Sequence, residues 1–230
     1  MGDARVEARA VTKDYPRAGA SGGALTAVRP LDLELGPGSL TVVTGRSGSG
    51  KSTLLSMLAG MLAPTSGAVI LDGADLYSLD EKSRSRLRNA KIGLVPQGHT
   101  ALRALSVLDN VLLPAVLYSR ERPPRQRAEH LLEAVGIAEL ARVGPHELSG
   151  GELRRMAVAR ALLMDPVVVL ADEPTAGLDE ESAARVLELL RGAADDGAAV
   201  LVVTHEDGAA RFADRVLTMA DGRLGDSPAR

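Results

Sequence analysis

The stretch TGRSGSGKSTLL, from Thr44 to Leu55, decides how this chain is read. It sets three glycines and a lysine between SLTVVTG (39–45), which is apolar and rich in β-branched residues, and STLLSMLAGML (52–62), whose apolar residues recur at helical spacing. The glycines therefore fall at a strand-to-helix turn. A helix N-terminus there carries unpaired N–H groups and partial positive charge, and glycines let the main chain come close to an anion. Gly45, Gly50, Lys51 and Ser52 meet the pattern G-x-x-x-x-G-K-[ST], in which the lysine reaches the terminal phosphates and the hydroxyl ligates magnesium. A solvated Gly/Ser turn is the plainer alternative; the flanking strand and helix set it aside in favour of a nucleoside-triphosphate site.

Composition narrows the class. The 230 residues are 45% hydrophobic, enough for one large domain or two small ones. A net charge of -3 argues against a protein built to grip nucleic acid, which needs clustered lysine and arginine. The chain has no cysteine, which rules out disulfides and thiolate zinc sites and fits a cytoplasmic location. The N-terminal MGDARVEARAVTKDY lacks an apolar signal core, and no apolar run reaches the ~20 residues that span a bilayer. Lysine occurs only at positions 13, 51, 82 and 91, against an arginine-rich background. A lysine kept inside the glycine turn is thus better explained by chemistry than by composition.

Outward from that turn, ARVEARAVTKDY (4–15) and AVRPLDLELGPGSLTVVTG (27–45) read as strands, the latter broken at GPG, and their N-terminal part as antiparallel sheet. RAGASGGAL (17–25) reads as a flexible surface loop. SGAVILDG (66–73) is a short strand ended by Asp72-Gly73, and DEKSRSRLRNAK (80–91) a charged helix leading into the strand IGLVPQ (92–97). From about His99 to Leu163 the pattern turns helical, with RQRAEHLLEAVGI and GELRRMAVARALLM separated by the break VGPHELSGG. PVVVLADEP (166–174) and AAVLVVTHE (198–206) read as buried parallel strands joined by the helical ESAARVLELLRGAA, a βαβ unit, and DRVLTMADGRL (214–224) as a hairpin turning at Asp221-Gly222.

Asp172 and Glu173 stand together where a buried strand ends. Carboxylates at the carboxyl end of a parallel strand face the same crevice as the phosphate turn, so Asp172 can hold the magnesium shell and Glu173 can activate the attacking water. Alone, such a pair would more often be a solvated loop start. Ser149, Gly150 and Gly151 form a second anion-ready helix start, although a serine followed three residues later by Glu152 is also an ordinary capping box.

The glycine turn, Gln97 after IGLVP, LSGGE, VVVLADEP, TAGLD and a histidine after AVLVVT occur in the order and spacing of the ATP-binding cassette (ABC) ATPases, and the resemblance covers essentially the whole chain. It implies an α/β fold: a P-loop NTPase core with a mainly parallel sheet, an N-terminal antiparallel β subdomain, and a helical subdomain carrying the LSGG motif. Residues 1–230 would form a single nucleotide-binding domain, with about 98–163 inserted as the helical part. By the same resemblance Tyr15 stacks on adenine, Ser47, Gly48, Gly50, Lys51, Ser52 and Thr53 hold the phosphates of ATP, and Gln97 contacts Mg2+ and senses a membrane subunit. Asp172 is the magnesium-shell aspartate, Glu173 the general base, Asp179 the link between two sites, and His205 the histidine on the γ-phosphate. The LSGG start at Ser149, Gly150 and Gly151 would cap ATP held by a second subunit, giving an ATP-dependent homodimer or a dimer with a paralogous cassette.

Two departures stand out: Glu152 replaces the glutamine of many members, and VPQG lacks the usual aromatic before the glutamine. DNVLLPAVLY, YPRAGASGG and LSGGE resemble the branch of macrolide exporters, lipoprotein-releasing systems, peptide-antibiotic detoxification pumps and the cell-division ATPase of similar type. The expectation is an ATPase subunit on the cytoplasmic face of the cell membrane, driving a separate transmembrane permease, without a nucleic-acid partner. An importer subunit for small solutes is the alternative within the family. A soluble ATPase of DNA repair or translation is the alternative outside transport, but its zinc cysteines, heptad insertions or second cassette are absent. Glu173 and His205 argue against a regulator that does not turn over ATP.

Overall fold

The structure, a computed structural model, describes residues 5–16, 24–98, 100–118 and 123–226. In chain order they form β1 (Val6–Pro16), β2 (Ala24–Leu35), β3 (Ser39–Thr44), α1 (Lys51–Leu58), β4 (Ser66–Leu71), β5 (Ala74–Asp75), α2 (Glu81–Lys91) and β6 (Ile92–Val95). There follow α3 (Val107–Tyr118), α4 (Arg125–Ala134), α5 (Gly150–Leu162), β7 (Val168–Asp172), α6 (Glu180–Asp195), β8 (Ala199–Thr204), β9 (Arg215–Ala220) and β10 (Arg223–Asp226), with short 3₁₀ turns between. Most of the glycine-rich loop read at 17–25, and His99 at the start of the helical stretch, lie outside the described residues.

Two sheets result. One is antiparallel, in the order β2-β1-β4-β5; the other runs β10-β9-β3-β8-β7-β6, with every pairing parallel except that of β10. The patterns explain the difference. Strands β7 and β8 are buried at every position, so their apolar β-branched runs suit a sheet covered on both faces. In β2, Leu31, Leu33 and Leu35 turn inward while Asp32 and Glu34 face solvent, as a strand with one covered face requires.

Alternate residues of the parallel sheet feed two cores. Val42, Val169, Ala171, Val200 and Val202 pack on α3, α4, α5 and α6, whereas Val43, Val168, Leu170, Leu201 and Val203 pack on α1 and the antiparallel sheet. Helix α1 is thereby clasped between the sheets, with Leu54, Met57 and Leu58 fully buried. Tyr77 locks its far end, its hydroxyl 2.8 Å from the Met57 carbonyl and 2.6 Å from that of Leu62, and burial pushes its pKa up to about 12. Gly93 admits the end of α5, since a Cβ there would lie 2.3 Å from the Ala161 carbonyl oxygen.

Helix α3 has an internal Pro114 and is held by the fully buried Asn110. Its Oδ1 accepts from the Leu102 N–H at 2.7 Å, and its Nδ2 donates to the carbonyls of Leu102 (3.1 Å), Leu105 (3.3 Å) and Ser106 (2.9 Å). These bonds fix the segment between Gln97 and α3. Asn110→Ala leaves several of them unmade in a dry site, so a loss of about 3 kcal/mol is expected in urea unfolding. A change within experimental error would show that water replaces the amide.

Candidate functional site

The loop between β3 and α1 is wedged against the rest of the fold at two glycines. Gly50 has φ 109°, and a Cβ there would meet the Ala27 carbonyl oxygen at 2.4 Å; one at Gly45 would meet the Met219 carbonyl oxygen at 2.2 Å. No side chain caps α1, so its N-terminal donors face the loop's concave side. Lys51 is buried, and its ammonium donates to the carbonyls of Gly45 (2.7 Å) and Arg46 (3.2 Å). Around it opens a hollow of about 640 Å³ lined by Ser47, Gly48, Gly50, Ser52 and Thr53 on one side and by Gln97, Arg154, Glu173 and His205 on the other.

Asp172 lies beside this hollow at the end of β7, buried, with Ser52 and Lys51 near enough to act on its charge. Burial raises its pKa; the Ser52 hydroxyl and the Lys51 charge oppose the rise, and the Glu173 charge adds to it. Its Oδ1 is buried without a hydrogen-bond partner among the described residues. A partnerless carboxylate oxygen with a serine hydroxyl nearby, beside a nucleotide-sized hollow, fits a magnesium ion that takes most of its other ligands from phosphate and water.

Glu173 follows with φ 50°, a left-handed conformation costly for a side-chain-bearing residue. Its N–H donates to the Val203 carbonyl at 2.8 Å, and its own carbonyl accepts from Arg154. The carboxylate meets the Thr204 hydroxyl at Oε2 (2.8 Å) and the His205 ring Nδ1 at Oε1 (2.8 Å). That bond raises the pKa of His205, whose side chain is 61% exposed. Stability from this contact is therefore present below pH 6.5, the ordinary value for histidine, and is lost as pH rises through the raised folded value.

Ser149, Gly150 and Gly151 do not join the phosphate hollow of their own chain. They line a second one with Asp179 and Ser182, and only Arg154 and Ala176 border both. Ser149 caps α5: its Oγ accepts from the Glu152 N–H at 3.3 Å, while Glu152 reaches back to the Ser149 N–H at 2.7 Å. Asp179 caps α6, accepting from the Ser182 N–H at 2.9 Å. Two helix starts thus converge on one hollow. Tyr15 sits near the end of β1, 36% exposed and 5.5 Å from the Lys13 ammonium, and lines neither hollow.

A slightly larger groove between α4 and α6 has its arginines paired, Arg127 with Asp165 and Arg185 with Glu181, and holds no comparable set of groups. Arg154, which lines the phosphate hollow, and Thr204, buried behind it, escaped the sequence reading. Arg154 spans from α5 to the carbonyls of Glu173 and Gln97 (3.4 Å); its signal was an arginine one helical turn beyond Gly150. Thr204 was visible as a lone hydroxyl ending an apolar strand.

Strand, glycine turn, buried lysine and strand-end carboxylates define a P-loop nucleoside triphosphatase. Residues 28–176 match the ABC transporter family. The chain is 42% identical to the lipoprotein-releasing system ATP-binding protein LolD of Hyphomonas neptunium, over 89% of this chain and 90% of that protein. It is 43% identical to LolD 1 of Rhodopirellula baltica, over 93% of each. Among solved structures, it resembles the dimeric structure of MJ0796, a bacterial ABC transporter cassette, with a TM-score of 0.89, 32% identity, and coverage of 98% of this chain and 100% of the other. The same cassette in a post-hydrolysis state bound to ADP and Pi also gives 0.89, at 33% identity and the same coverage. The chain belongs to the ABC transporter family, as an ATP-binding and ATP-hydrolysing subunit.

Proposed function

We propose that this chain powers a separate transmembrane permease of the lipoprotein-releasing kind from the cytoplasmic face of the membrane, acting as an ATP-dependent homodimer or a dimer with a paralogous cassette. Residues 1–230 act as a single nucleotide-binding domain, with about 98–163 as its helical insert. The branch is supported by the likeness to LolD proteins over most of the chain. The dimer is supported by one observation above all: the phosphate hollow and the Ser149–Gly151 hollow are separate in one chain, so each is half of a site.

In this reading Ser47, Gly48, Gly50, Lys51, Ser52 and Thr53 hold the phosphates of ATP, and Tyr15 stacks on adenine. Ser149, Gly150 and Gly151 cap the γ-phosphate held by the other subunit, with Asp179 linking the two sites. Ser52, Asp172 and Gln97 would hold Mg2+, which offsets charge on the β- and γ-phosphates when bound. Glu173 takes the proton from the attacking water, His205 leaves Glu173 to hold the γ-phosphate, and Lys51 exchanges the Gly45 and Arg46 carbonyls for phosphate oxygens. Closing the dimer on two ATP molecules pulls on the permease, and hydrolysis resets it.

The permease contact is supported by exposed Met61 and Tyr118, which line one groove beside α2 where Ser85 and Tyr118 share a 2.8 Å hydrogen bond, and by exposed Val116 and Leu117 at the same end of α3. No helix among the described residues is long and apolar enough to cross a membrane, so the spanning part falls to the partner. The test is mass spectrometry of what copurifies with the tagged Glu173→Gln chain from native membranes in mild detergent with Mg-ATP. A stoichiometric membrane protein is expected, and its extracytoplasmic domain separates export from import. Recovery of DNA, ribosomes or no membrane protein contradicts the transport reading while leaving the ATPase intact.

A further inference from the structure

The carboxylate of Glu173 is held at Oε2 by the Thr204 hydroxyl and, more loosely at 3.4 Å, by the His205 main-chain N–H, and at Oε1 by the His205 ring. His205 stands on the loop after β8 with most of its ring in solvent, so its bond to Oε1 is free to break. Thr204 is the last residue of β8, fully buried, in register with Thr44 of β3. Its Oγ1 accepts from the Glu206 N–H at 3.0 Å, which leaves the hydroxyl proton directed at Glu173 Oε2, 2.8 Å away. The Glu173 main chain is tied to the same strand through the Val203 carbonyl. Backbone and one carboxylate oxygen are thus anchored on β8, and the other oxygen is not.

We propose that Thr204 is the positioning residue for the carboxylate of Glu173: its hydroxyl makes the shorter of the two bonds on Oε2, the other being the His205 main-chain N–H, and tethers that oxygen so that Oε1 alone turns to the attacking water when the His205 ring moves to the γ-phosphate. The water oxygen then bonds to the γ-phosphorus and its proton passes to Oε1. The bond from phosphorus to the bridging oxygen breaks, and its electron pair leaves with ADP. This rests on the reading of Glu173 as general base. A neighbouring pair supplies the comparison. Thr175 donates to the Glu206 carboxylate at 2.6 Å, joining the same two strand ends without a hydrogen bond to the Glu173 carboxylate.

The test compares Thr204→Val, Thr204→Ser, Thr175→Val and Glu173→Gln in the tagged full chain recovered from native membranes, by steady-state ATP turnover and by calorimetric ATP affinity. A misplaced base costs on the order of a hundredfold in rate. Thr204→Val should therefore lose about ten- to a hundredfold in kcat with KM and Kd for ATP unchanged. Thr204→Ser should recover most of that loss, Thr175→Val should stay within about threefold of the parent, and Thr204→Val added to Glu173→Gln should cost nothing more. Near-parental kcat in Thr204→Val, with Glu173→Gln inactive, overturns the tether and spares the base. Equal losses in Thr204→Val and Thr175→Val, or no recovery with serine, also overturn it, by showing that the strand ends merely loosened. Turnover surviving in Glu173→Gln removes the base reading itself.

Discussion

Lys51→Ala is expected to abolish ATP binding. The ammonium is buried at the bottom of the glycine turn, where the carbonyls of Gly45 and Arg46 hold it in place. Carbonyls stabilise the cation without neutralising it, so it remains available to phosphate oxygens. Asp172 and Glu173 sit in the same region, and without the lysine a polyanionic nucleotide would approach two carboxylates with one charge fewer to offset them. A hydrogen bond to a charged group contributes about 1.5–3 kcal/mol, so two such bonds to phosphate correspond to roughly 10²- to 10⁴-fold in affinity. Calorimetry with Mg-ATP checks this, with circular dichroism confirming the fold. Micromolar or tighter binding by the alanine variant would remove Lys51 from the phosphate site.

Glu173→Gln should bind ATP normally and lose about 10²- to 10⁴-fold in turnover, the range expected for removing a general base. The substitution is nearly isosteric, and glutamine keeps a carbonyl oxygen that can accept from Thr204. The backbone contacts at φ 50°, to Val203 and Arg154, do not involve the side chain. What disappears is a group able to take a proton from water. Product release and resetting then stall, and the ATP-bound form accumulates. His205→Ala separates the roles: it frees the Glu173 carboxylate from its ring contact yet, on the proposed role of His205 at the γ-phosphate, should still lose hydrolysis while keeping affinity.

How much of this was legible in the sequence depended on the range of the interaction. The phosphate turn, the capping pair Ser149 and Glu152, and the hairpin at Asp221-Gly222 are local, and each forms where its residues predict. The parallel strands were legible because burial on both faces demands continuous β-branched runs. Helix α3 was less distinct as an element, since Pro114 interrupts a nearly all-apolar stretch with no polar face to mark its period.

Within the site, Glu173 and His205 were each readable, but their 2.8 Å contact was not. It joins residues 32 apart through the pairing of β7 with β8, and no local pattern encodes that register. The same holds for Thr204 on Glu173 and for Arg154 on the Gln97 carbonyl. Asn110 offered no signal at all, because a buried asparagine and an exposed one look alike until the carbonyls around it are in place.

If two copies of this chain complete each other's ATP sites, ATP must bring them together. The direct measurement is light scattering after gel filtration of the Glu173→Gln chain with and without Mg-ATP. The mass should rise from 24.0 kDa to twice that value with Mg-ATP, and Ser149→Glu, whose carboxylate would repel the γ-phosphate presented to it, should reverse the rise. A monomer at saturating Mg-ATP would contradict it.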